Sequence, residues 1–132
     1  MPAVRSPPSA LVQRIASVMR SGRFLILGPT NGPVDVPTSL GGGNGSITEA
    51  QSAVNLANIA DMNSRMAVAF PAQYVSPIAN FEANGATTDV TVLGTTYAMV
   101  NSTVLSDGIH ENATGKGLTC DLIETAIAGL EY

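Results

Sequence analysis

The sequence predicts an α/β fold with parallel strands and a C-terminal helix, and three observations predict it. Helical and strand-like patterns alternate along the chain. The strand-like segments are continuously apolar rather than alternating, as in strands of a parallel sheet covered on both faces. The final segment carries apolar side chains at helical spacing. A length of 132 residues fits one domain spanning 1–132, with a single core.

Residues 1–8 hold three prolines and read as an extended lead-in. From Ser9 onward, Leu11, Val12, Ile15, Ala16 and Met19 share one helical face, Arg14 and Arg20 take the wet side, and Gly22 stops the helix. "RFLILG" is the first buried strand, and the Pro- and Gly-rich stretch after it is loop, with "GGGNG" a flexible linker. "SITEAQSAVNLANIADMNSR" opens with a capping box between Ser46 and Glu49 and presents a small-residue face of Ala50, Ala53, Val54, Ala57 and Ala60. "RMAVAFPAQYV" reads as a second buried strand ending at Pro71. "TTDVTVLGTTYAMV" is a hairpin turning near Gly94, or an insertion over the site. From about Ala113 to Leu130, a helix aligns Leu118, Leu122, Ile123, Ala126, Ile127 and Leu130.

Charged residues make up 12% of the chain, about half the usual share, which points to a surface partly covered by another protein. An Ala-, Gly-, Ser- and Thr-rich soluble protein explains the same figure. The net charge of −4 argues against nucleic-acid binding, which needs clustered Lys and Arg. Arg5, Arg14, Arg20 and Arg23 form a basic leading segment: a solvated helix face, or one that meets a membrane or an acidic partner. No apolar run is long enough to span a membrane, and the first residues lack the apolar core of a signal peptide; an extracellular or particle-associated setting stays open. Cys120 is the lone cysteine, expected as a small packed residue on the last helix. One histidine and scattered acids do not converge into a metal site, and "GGGNG" lacks the Lys-Ser/Thr ending of a phosphate loop, so no cofactor is implied.

The chemistry concentrates in "DGIHENATGKG", where the single histidine, His110, follows Asp107 by three residues. In serine hydrolases a histidine takes the hydroxyl proton while an acid fixes its tautomer and steadies the imidazolium. Asp107 and His110 can supply both from one loop, with Gly108 permitting the tight path. Asn112 and Gly115 then organise entry into the last helix. A bare D-x-x-H is weak evidence; D-G-I-H-x-N-x-x-G leading into an amphipathic helix is more specific.

At these residues the chain resembles the SGNH/GDSL hydrolase family. "SDGIHENATGKGLTCDLIETAI" is similar to the family's last block, and "LVQRIASVMRSGRFLILGPTNG" and "AQSAVNLANIADMNSRMAVAFPAQYV" resemble its middle helix–strand units. The resemblance implies a three-layer α/β/α, flavodoxin-like fold, of which this chain matches the C-terminal half. It implies hydrolysis of an ester or of an acetyl group on a polysaccharide, with Asp107 and His110 as catalytic residues and Gly108, Asn112 and Gly115 as shaping residues. The loops 29–45 and 72–87, after the strands, would face substrate.

The family's Gly-Asp-Ser nucleophile block does not occur here, and in "GPTNG" Gly32 stands where the family's G-x-N-D block has Asp, so Asn31 carries little weight. Ser46, Ser102 and Ser106 fit a nucleophile by type only, with no strained elbow around any of them. The expectation is therefore a companion, either a chain or segment carrying the nucleophile or a neighbouring copy, that also covers the edge of "RFLILG". The alternative is a non-catalytic assembly module, such as a virion or tail-associated protein, that keeps the fold without turnover.

Overall fold

A computed structural model describes Ala10, Gln13, Arg14 and residues 23–130. The extended lead-in and the apolar positions of the expected first helix, Leu11, Val12, Ile15, Ala16 and Met19, lie outside the described residues. The fold is mixed α/β. Two short strands, β1 (Ile26–Leu27) and β2 (Tyr74–Val75), pair in parallel with Ile26 opposite Tyr74. Between them run two 3₁₀ turns, Pro33–Asp35 and Thr38–Leu40, and the long helix α1 (Glu49–Ala69). The short helix α2 (Pro77–Ala83) follows β2. An antiparallel hairpin, β3 (Thr87–Val92) and β4 (Thr95–Val100), comes next, and α3 (Ala113–Gly129) closes the described chain.

The hairpin is built as its sequence demands. A two-residue loop joins strands of the natural twist only when both residues adopt the left-handed region. Leu93 and Gly94 do so, at φ 47° and 86°. Gly94 takes this conformation freely, whereas Leu93 takes it at a steric cost of roughly 1–2 kcal/mol. Its side chain recovers little by packing, being 64% exposed. Leu93→Asn is therefore expected to stabilise the protein by about 0.5–1 kcal/mol, read as a higher urea midpoint.

Among the described residues, three apolar clusters hold the elements together. Val36, Leu56, Val90, Val92 and Met99 join α1 to the hairpin. Phe81, Ala86, Val100, Val104 and Leu105 form the second, with Ile78 and Leu118 packed against it, and so bring α2, the end of β4 and α3 together. Met66 and Tyr74 form the third, under Phe24, Ile26 and Phe70 beside the parallel pair.

Four expectations are corrected. The segment 65–69 is the last part of α1, not a strand, and the strand falls at Tyr74–Val75. Met and Ala extend a helix readily, and the chain leaves it only at Phe70, whose following Pro71 disfavours helical backbone. The capping box uses Thr48 and Gln51 rather than Ser46 and Glu49: Thr48 Oγ1 accepts from the Gln51 amide at 3.1 Å and Gln51 Oε1 from the Thr48 amide at 3.0 Å. The Ser46 amide is engaged instead by Asn44 Oδ1. The "GGGNG" stretch is a built turn, not a loose linker. Gly43 donates to the Pro33 carbonyl at 2.8 Å, Asn44 bridges to Pro37, and Gly41 sits at φ 85°. Finally, "RFLILG" is not covered on both faces, since Leu27 is 48% exposed. Among the described residues β1 pairs only with β2.

Candidate functional site

The loop from Ser106 to Glu111 is closed from both ends. Leu105 and Glu111 form an antiparallel bridge, and the amide of Ser106 donates to the His110 carbonyl at 2.8 Å. Inside the loop the Asp107 carboxylate divides its two oxygens. Oδ1 accepts from the backbone amides of Ile109 at 3.0 Å and His110 at 2.7 Å, a turn in which the side chain stands in for a backbone carbonyl. Oδ2 lies 2.6 Å from His110 Nδ1. Gly108, at φ 84°, supplies the left-handed backbone this path requires. The expected pair is thus brought together on one loop.

These contacts hold the Asp107 carboxyl down at about 2, below its usual 3.8. The His110 amide contributes most, then the His110 side chain, then the Ile109 amide. Hydrogen bonds to the charged form favour it, so Asp107 is ionised at any pH above about 2 and can accept a proton-bearing Nδ1. An ionised carboxylate only accepts, so Nδ1 is the donor in this contact. Among the described residues Nε2 has no hydrogen-bond partner, and the His110 side chain is 75% exposed.

Asn112 and Gly115 shape the descent into α3. Asn112 is its N-cap: Oδ1 accepts from the Gly115 amide at 2.9 Å, while Nδ2 donates to the Thr103 carbonyl at 3.0 Å. Gly115 is buried against Val104. A Cβ there would stand closer than 3.0 Å to the Val104 carbonyl oxygen, a separation that real Cβ atoms do not show. The backbone of α3 can therefore approach the hairpin exit only as glycine.

The other sequence candidates are placed elsewhere. Ser106 turns its hydroxyl to the backbone carbonyl of His110 at 3.2 Å, not to the ring. Ser46 and Ser102 are exposed residues of turns, and none of the three is hydrogen-bonded to His110 through its imidazole. Cys120 is exposed rather than packed, a correction, because the inward face of α3 runs through Gly115, Leu118, Thr119 and Leu122. Asn31 is buried and bonded through both ends of its side-chain amide: Nδ2 donates to the Ala98 carbonyl at 3.0 Å and Oδ1 accepts from the Val100 amide at 2.9 Å. It bonds β4 as a strand neighbour would.

The stretch just after Asn31 is the part of the site that sequence reasoning missed. Gly32 lies against the Gly108 carbonyl, and its amide donates to Asp35 Oδ2 at 3.0 Å. Burial pushes the Asp35 carboxyl up, and the Gly32 amide opposes that. The loop following β1 and the Asp107–His110 loop are thus in contact. Of the two segments expected to be loops facing substrate, 29–45 and 72–87, the second is β2 and α2 rather than loop, and together they contribute Asn31, Ser76 and Glu82 to a cavity of about 200 Å³ that Leu56, Asn63 and Tyr97 also line. Asn31 and Ser76, which follow β1 and β2 in the chain, both line the cavity, and His110 does not. Among the described residues no cluster of three or more His, Cys, Asp and Glu could hold a metal ion, and no helix is long and apolar enough to cross a membrane. No protein-family model, curated protein or solved structure matches this chain.

Proposed function

We propose that this chain is the Asp–His half of an SGNH-type serine esterase or carbohydrate deacetylase, with the nucleophilic serine and the oxyanion donors carried by another chain or by a segment outside this sequence. A three-layer α/β/α sheet would then be completed across the open edge of β1. One observation carries the reading: the carboxylate–imidazole contact of 2.6 Å, on a loop packed against the turn that follows a parallel strand. Open α/β sheets bind ligands beyond the carboxyl ends of their strands.

The chemistry follows from the tautomer. His110 Nε2 takes the proton of the serine hydroxyl as that oxygen attacks the ester carbonyl, and Asp107 steadies the resulting imidazolium through Nδ1–H. The imidazolium then returns the proton to the departing alcohol, leaving an acyl-serine. Water, deprotonated by the same Nε2, attacks that ester, and serine recovers the proton as the acid leaves.

One observation favours a second reading, a non-catalytic assembly module: the imidazole stands on open surface, outside the cavity. A serine-directed fluorophosphonate applied to the native assembly decides between them. Labelling is expected on the polypeptide that carries the nucleophile. An assembly that contains the chain and takes no label is an assembly module.

A further inference from the structure

We infer that Gly32 is a positioning residue, and that the turn Gly32–Asp35 is a platform against which the Asp107–His110 loop is set. The inference rests on the hydrolase reading of that pair for its functional meaning. Its geometry stands independently.

Gly32 does not need to be glycine for its backbone. It lies at φ −173° and ψ −174°, extended backbone that any residue adopts. Its requirement is space. A Cβ on Gly32 would sit closer than 3.0 Å to the Gly108 carbonyl oxygen and 2.9 Å from Leu105 Cδ1. The first of these is backbone, which cannot step aside without moving the loop. On the other side of the contact, the Cβ direction of Gly108 faces Pro33 Cβ at 3.7 Å. The two loops therefore touch main chain to main chain, in the middle of the Asp-Gly-Ile-His path.

The platform side of this contact is held from several directions. Asp35 Oδ2 accepts the Gly32 amide, and the Asp35 amide returns a bond to the Gly32 carbonyl at 2.9 Å. Gly43 donates to the Pro33 carbonyl, Asn44 Nδ2 to the Val34 carbonyl at 3.0 Å, and Ser52 Oγ to the Asp35 carbonyl. Asn31, the preceding residue, is bonded to β4 on both amide functions. The Asp107–His110 loop is held by the bridge at its neck and by bonds within itself, Asp107 Oδ1 accepting from the Ile109 and His110 amides and the Ser106 amide donating to the His110 carbonyl, and both its functional side chains are exposed. A rigid turn pressed against a solvent-exposed loop sets where that loop lies, and catalytic geometry tolerates displacements of well under an ångström.

Gly32→Ala in the full chain, followed by a carboxyl-carbon NMR titration of Asp107, tests this. The wild-type midpoint is expected at about 2, and in the variant it is expected to rise toward the ordinary 3.8 as the Gly108 peptide is pushed away and the amide contacts loosen. Hairpin amide shifts remain those of the wild type. Gly117→Ala, where a Cβ meets open space, keeps the midpoint at about 2. Asp35→Ala removes the acceptor of the Gly32 amide without adding bulk. It is expected to move the midpoint in the same direction by less, and it carries the test should Gly32→Ala not fold. A folded Gly32→Ala chain with its midpoint still at about 2 overturns the inference. Hydrolysis by the native assembly is read separately: a shifted midpoint in an assembly without hydrolysis keeps the platform and removes the hydrolase.

Discussion

His110→Ala is expected to abolish hydrolysis and fluorophosphonate labelling by the native assembly while leaving that assembly intact. The two halves of this result have separate physical causes. The proposed reaction has a single base, and in serine hydrolases its removal costs on the order of 10⁶ in turnover. The fold loses almost nothing, because the His110 side chain is three-quarters exposed and its ring holds no apolar cluster together. What closes the loop is backbone: the His110 amide on Asp107 and the His110 carbonyl accepting from Ser106, both of which alanine retains. Thermal unfolding and co-purification of the variant should therefore match the wild type. Unchanged hydrolysis in an intact assembly removes His110 from the mechanism and takes the hydrolase reading with it.

That loop was legible in the sequence because each of its residues has one local job. Asp followed by Gly, with an imidazole two positions further on, writes a turn, a left-handed step and a charged partner within four residues. The hairpin was legible for the same reason, its Leu-Gly loop flanked by Thr- and Val-rich strands. Errors arose where two local readings compete and only packing chooses. In "SITEAQ" both Ser46/Glu49 and Thr48/Gln51 satisfy the capping pattern, and the second wins because Asn44 has already engaged the Ser46 amide. In "RMAVAFPAQYV" the apolar run reads as strand. Yet the helix continues to Ala69, with Met66 buried against Tyr74 and Val68 left 81% exposed. Cys120 could have been placed correctly from its neighbours, since Lys116 and Glu124 lie one helical turn to either side and mark a wet face. The roles of Asn31 and Gly32 were not legible, because both depend on partners some 67 to 76 residues away.

Gly115→Ala should destabilise the protein by about 1–3 kcal/mol, the usual range for overpacking. Gly117→Ala, two residues along the same helix, should stabilise it by about 1 kcal/mol. Both replace a glycine inside α3, so intrinsic helix propensity favours the alanine in each. At Gly117 nothing opposes that preference, because a Cβ there meets open space. At Gly115 the new methyl runs into the Val104 carbonyl oxygen and stands 3.1 Å from Val104 Cβ and 3.2 Å from Glu111 Cβ. That carbonyl cannot withdraw freely, because it accepts from the Asn112 amide at 2.8 Å and belongs to a fully buried residue of the second apolar cluster. Relief must come from lifting α3 off the hairpin exit, which strains the Asn112 cap and thins the packing of Leu118 against the second apolar cluster. Urea unfolding of the two variants side by side measures the difference in sign. Equal midpoints would mean that α3 does not seat on the hairpin through Gly115. The helix would then contribute nothing to fixing the end of the Asp–His loop that Asn112 caps.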